Sequence, residues 1–95
     1  MSEPTWAFLT NHAYVLRCLA LVPEMTMREA AERIGITERA VQRIVTDLET
    51  VGYLTVSKAG RRNRYQVNDD LPLRHLIERH VTVKALIDLV VGGQG

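Results

Sequence analysis

Two groups of side chains in this 95-residue chain have the types and spacing to do chemistry. Arg39, Gln42, Arg43 and Thr46 stand three and four positions apart, so on a helix they form one strip rich in hydrogen-bond donors. Lys58, Arg61, Arg62 and Arg64 crowd a short span around Gly60 with no acid among them. Guanidinium groups bond phosphates and planar acceptors two at a time, so both groups suit an anionic partner. Covalent catalysis has no foothold. No nucleophile–base pair, paired-carboxylate pattern or phosphate loop is present, and Gly92-Gly93 reads as part of a frayed tail. His12, His75 and His80 raise the question of a metal. His75 and His80 lie five apart, which does not align them on one helical face, and a single cysteine excludes a zinc site built on two. No metal and no cofactor are expected. Cys18 reads as a small core hydrophobe, because its neighbour Arg17 points to a different helical face and cannot activate the thiol.

The elements that must position these groups follow from periodicity and punctuation. An apolar stretch from about Thr5 to Leu21 has helical spacing and stops before Pro23. Thr26-Met27-Arg28-Glu29 is a capping box, and Met27, Ala30, Ala31 and Ile34 give a short helix its buried stripe, with Gly35 as its stop. Thr37 caps the next helix, with Glu38 in its first turn. There Val41, Ile44, Val45 and Leu48 share one side, and Arg39, Gln42, Arg43, Thr46 and Thr50 share the other. The alternating runs Tyr53–Ser57 and Arg64–Val67 predict a hairpin with a cationic tip at 58–63. After Pro72, apolar residues recur at spacings of 3 or 4 from Leu73 to Val91 and predict one long last helix. The fold class is mainly α with a small β-hairpin, in the order α-α-α-β-β-α. The chain is one domain: an N-terminal helix over 5–25, a helix-turn-helix over 26–52, a wing over 53–67 and a C-terminal helix over 72–91.

Two helices joined by a short glycine-containing turn form a helix-turn-helix, and a basic hairpin directly behind it makes a winged helix. Over Arg28–Ile36, Thr37–Val45 and Asp47–Leu54 the chain resembles the winged helix-turn-helix transcriptional regulators of bacteria and archaea, of the MarR/ArsR type. The most typical run is Asp47-Leu48-Glu49, two residues, Gly52-Tyr53-Leu54, a strand, a basic glycine turn and Arg62-Asn63-Arg64-Tyr65-Gln66-Val67. The strong match covers 26–67, and the flanking helices agree by position and pattern. The resemblance implies a dimeric regulator of double-stranded DNA, and a repressor in most such small proteins. In this motif the second helix enters the major groove with its N-terminal residues nearest the base edges. That places Thr37, Glu38, Arg39, Gln42, Arg43 and Thr46 at the interface, with Gln42 and Arg43 on bases. Thr26, Thr37 and Arg28 are expected near phosphate at the helix starts. Arg61 and Arg62 are expected in the minor groove or on phosphate, with Lys58 and Arg64 adding charge at the wing base.

Charge and apolar content agree with this. Residues 26–67 carry eight cations against five anions, while both flanks are slightly acidic and the whole chain is +1. Aromatics at 5% leave no base-stacking platform. No apolar run approaches the roughly 20 residues of a membrane span, and Met1–Pro4 lacks the basic start of a secretory leader. A reducing, cytoplasmic setting at the nucleoid is expected, since one cysteine allows no internal disulfide. Trp6, Phe8, Leu9, Leu73, Leu76, Ile77, His80, Leu86, Ile87 and Val90 exceed what a small winged core needs, and they are expected to form a homodimer interface. Two recognition helices one DNA turn apart would then read a pseudo-palindrome. A small-molecule effector is not indicated; one would have to sit between the first and last helices or at the dimer seam. Two other readings are a winged protein–protein interaction module and a non-specific architectural DNA binder. The donor-rich helix face combined with a cationic wing favours the specific regulator.

Overall fold

A computed structural model describes residues 6–92. Six elements follow in order: α1 (Asn11–Leu21), α2 (Met27–Ile34), α3 (Glu38–Thr50), β1 (Leu54–Ala59), β2 (Arg62–Val67) and α4 (Val83–Gly92). The fold class is the expected one, a winged helix. None of the described helices is long and apolar enough to cross a membrane.

The core lies where α1, α2 and α3 meet the hairpin. Val15, Leu16 and Leu19 of α1 are buried with Ala30 and Ala31 of α2, Val41, Ile44, Val45 and Leu48 of α3, and Leu54 and Tyr65 of the hairpin. Burying each large aliphatic side chain contributes about 1.5–3 kcal/mol, so this one cluster accounts for the assembly of the helices. Cys18 belongs to the same cluster. Burial pushes its thiol pKa up, against weaker opposing influences from Arg17 and Arg33.

Three boundaries differ from the sequence expectation. The first helix begins at Asn11 rather than near Thr5, which lies outside the described residues. Thr10 is extended, and its hydroxyl accepts from the Ala13 N–H at 3.4 Å, so the helix starts there. The hairpin is longer than expected and its turn shorter. Leu54 pairs with Val67 through to Ala59 with Arg62, leaving only Gly60-Arg61 at the tip. Gly60 has φ +67°, the left-handed value needed at the first central position of a tight two-residue hairpin turn. Lys58, Arg62 and Arg64 are therefore strand residues, and of the wing cations only Arg61 lies in the turn.

The third correction is the largest. The long C-terminal helix does not form, and only Val83–Gly92 is helical. Residues 71–82 make a loop whose neck is closed by backbone bonds from Leu73 N–H to the Val81 carbonyl at 2.9 Å and from Val83 N–H to the Leu71 carbonyl at 2.8 Å. The Tyr53 hydroxyl donates to the Pro72 carbonyl at 2.7 Å and anchors the neck to the corner between α3 and β1. Thr82 then starts α4, accepting from the Ala85 N–H through its hydroxyl. Val83 is fully buried. Leu73 and Ile87, expected at a partner surface, are partly buried against the chain's own core, and Leu9, Leu86 and Val90 are half-buried. Trp6, Phe8, Leu76, Ile77 and His80 are exposed.

Candidate nucleic-acid interface

The site is built on the α2–α3 turn. Thr26 and Glu29 form both bonds of the capping box, hydroxyl from the Glu29 N–H at 3.1 Å and carboxylate from the Thr26 N–H at 2.9 Å. These bonds hold the Glu29 carboxyl below the usual carboxylate range. Gly35 ends α2 at φ +87°, a conformation L-residues avoid, and its N–H bonds the Ala31 carbonyl at 2.8 Å. The chain therefore turns within Gly35-Ile36-Thr37, and the Thr37 hydroxyl caps α3 by accepting from the Ala40 N–H at 3.0 Å.

The inner face of α3 is buried, which fixes its rotation about its own axis and points Arg39, Gln42, Arg43 and Thr46 outward. An open groove of about 840 Å³ runs along this outer face, lined by Thr37, Arg39, Gln42, Arg43 and Thr46 together with His12 and Asp47. Among the described residues, Arg39, Arg43, Lys58 and Arg61 make no ion pair. The Thr46 hydroxyl donates to the Gln42 carbonyl at 3.0 Å, so it offers a partner its methyl group and oxygen lone pairs. Thr26 and Thr37 spend their hydroxyls on capping and present helix N-termini instead. Glu38 is exposed in the first turn of α3.

Three of the expected cations are already engaged within the chain. Arg28 pairs with Glu32 one turn on at 3.4 Å. Arg62 donates to the Glu24 carbonyl at 3.1 Å and lies 3.6 Å from the Glu29 carboxylate. Arg64 meets the Glu24 carboxylate at 3.3 Å.

One participant was missed in the sequence. His12 Nε2 lies 3.0 Å from Asp47 Oδ2, bringing the start of α1 to the groove. Residues 35 apart carry no local signal of pairing, so only the tertiary structure reveals this one. His75 and His80 both fall in the 71–82 loop, and His75 Nδ1 accepts from the Ile77 N–H at 3.2 Å.

A second cavity, of about 650 Å³, adjoins the groove. Phe8, Leu9, Leu16, Leu48, Leu73 and Leu86 give it an apolar lining, Arg74 and Glu78 supply charge, and His12 and Asp47 belong to both cavities.

Comparison with known proteins agrees with this geometry. The model of the MarR family matches residues 8–63. No curated protein matches the chain. Among solved structures, the chain is similar to the MarR family protein Rv2887 of Mycobacterium tuberculosis, crystallised with salicylic acid. The TM-score is 0.55 and the identity 20%, over 90% of this chain and 62% of that one. At that identity the likeness speaks for the fold alone, and the chain spans less than two thirds of the other protein. The family match itself covers more than half of the chain and falls on the capped helices, their turn and most of the wing: the chain belongs to the MarR family.

Proposed function

We propose that the chain is a homodimeric repressor that reads a pseudo-palindromic operator through α3 and the wing, and acts by occupying DNA without chemistry on it. The observation that carries this reading is the outer face of α3. Its Arg39, Gln42 and Arg43 are exposed beside an open groove, with both arginines free of ion pairs among the described residues. Arg and Gln reach guanine and adenine edges in bidentate fashion, and a helix fits the major groove. Thr26, Thr37 and Arg28 stand at helix starts, where backbone N–H groups and charge favour phosphate. Dimerisation rests on apolar side chains left in solvent: Trp6 is 68% exposed, Phe8 92%, Leu76 70%, Ile77 80% and Leu89 76%. Monomers seldom expose such a set without a partner.

Selection from a randomised duplex pool, followed by fluorescence anisotropy at two salt concentrations, tests the reading. Enrichment of a palindrome with half-sites about 34–36 Å apart is expected. Salt-sensitive binding without enrichment would identify an architectural binder, and no binding at low salt would leave the interaction module. The second cavity, lined by α1, the end of α3, the 71–82 loop and the start of α4, supports a second reading, in which a small aromatic acid is the effector. Titration with salicylate should then raise the melting temperature and weaken operator binding; no shift at millimolar ligand would end that reading.

A further inference from the structure

The cationic wing is only half available to a polyanion. Alternation along β2 places Arg62 and Arg64 on one face of the strand. Both meet the segment that joins α1 to α2. Arg62 is held from two sides, by the Glu24 carbonyl at 3.1 Å and the Glu29 carboxylate at 3.6 Å, and Arg64 by the Glu24 carboxylate at 3.3 Å. The surroundings are prearranged. The Tyr65 N–H donates to the Pro23 carbonyl at 2.8 Å, and the Tyr65 side chain is buried, so the edge of β2 is fixed against the Pro23-Glu24 turn. The Glu29 oxygen that faces Arg62 is already oriented by the Thr26 N–H. Lys58 and Arg61 have no acidic partner among the described residues.

Half-exposed ion pairs like these contribute little to stability. Their consequence lies in charge. Non-specific DNA affinity is almost wholly electrostatic, and each phosphate contact steepens the slope of log K against log salt by about 0.9. Specificity is a difference between two affinities, so lowering the sequence-independent one raises it.

We propose that Glu24 and Glu29 are specificity-determining residues: they serve Arg62 and Arg64 as internal counter-ions, so the wing meets DNA through Lys58 and Arg61 and holds unrelated duplex weakly. This rests on the reading of the chain as a DNA-binding protein.

The test is a cycle of four proteins: wild type, E24Q/E29Q, R62A/R64A and the variant with all four substitutions. Glutamine keeps the size of both side chains and preserves the capping box at position 29, so the fold is retained. Each protein is titrated by anisotropy against a selected operator and an unrelated duplex at three salt concentrations. For E24Q/E29Q, affinity for the unrelated duplex should rise about tenfold or more, with a salt slope steeper by about one to two, and the operator preference should fall. R62A/R64A should change non-specific affinity less than about threefold in the wild-type background and abolish the gain in the glutamine background. Equal losses from R62A/R64A in both backgrounds would overturn the proposal, because the arginines would already be on phosphate. A gain that survives R62A/R64A would overturn it too, because the acids would be acting as general negative charge. Failure of the wild type to bind any duplex would instead remove the DNA-binding reading, and the proposal with it.

Discussion

Replacing Arg43 with alanine separates base reading from backbone holding. Arg43 is exposed on the outer face of α3 and has no ion pair among the described residues, so the folded state loses little with it. Surface substitutions of this kind move stability by within about 0.5 kcal/mol, and the melting temperature should be nearly unchanged. Binding should change far more. A bidentate Arg–guanine contact is worth about 1–3 kcal/mol, and about 1.4 kcal/mol is one decade of affinity, so the operator Kd should rise roughly five- to 150-fold. Affinity for an unrelated duplex should stay within about twofold, and the salt slope should hold, because no phosphate contact is lost. Arg39 lies one turn nearer the N-terminus, about 6 Å along the axis. Exposed in the first turn of α3, Arg39 is expected to hold phosphate as well as a base edge, so its alanine variant should flatten the slope by up to about 0.9. The assay is anisotropy on both duplexes at three salt concentrations, beside thermal denaturation. Equal losses on both duplexes with a flatter slope would make Arg43 a phosphate contact. No loss on the operator would refute the assignment of α3 as the reading helix.

Four further outcomes follow from the structure. Thr26→Ala should remove the cap of α2 and cost about 1 kcal/mol, lowering the melting temperature by about 4–8 °C; an unchanged midpoint would mean that packing alone starts this helix. Because the Glu29 carboxyl is held below its ordinary value of 4.5 by the Thr26 bonds, its contribution is present above that value and lost as pH falls through the lowered one. The melting temperatures of the wild type and E29Q should therefore differ at neutral pH and converge in acid, and a constant difference would contradict this. Cys18 is buried with its thiol pKa pushed up, so alkylation near neutral pH should be slow in the folded protein and fast in denaturant, and equal rates would refute the burial. L76S/I77S should shift a sedimenting dimer to monomer without lowering the unfolding midpoint of the monomer, since both side chains are exposed; a dimer that persists would place the seam elsewhere.

The parts of this molecule that were legible in its sequence are those whose signals are local. Thr26 with Glu29, Gly35 and Thr37 each act within one helical turn, and they mark the two helix starts and the turn between them. The outer face of α3 followed from 3.6-residue periodicity alone. The long C-terminal helix was misread because Leu73, Leu76, Ile77 and His80 imitate that periodicity. The contrary signal was the β-branched run Val81-Thr82-Val83, which favours extended backbone and places a capping residue at 82. Thr10 was a similar unread cap at the start of α1. The engagement of Arg62 and Arg64 depends on residues 38 and 40 positions away, and no propensity reports such a contact.

The neck of the 71–82 loop carries one more consequence. Its ends are joined by their own backbone and pinned through Tyr53, so the path of the chain into α4 does not depend on what lies between Arg74 and His80. Lengthening such a closed loop is cheap, about 0.6 kcal/mol for each doubling. Arg74–His80 is thus an exchangeable cassette. Through it a lineage could alter what this surface meets, by substitution or insertion, while the core, the turn and the reading helix are inherited unchanged.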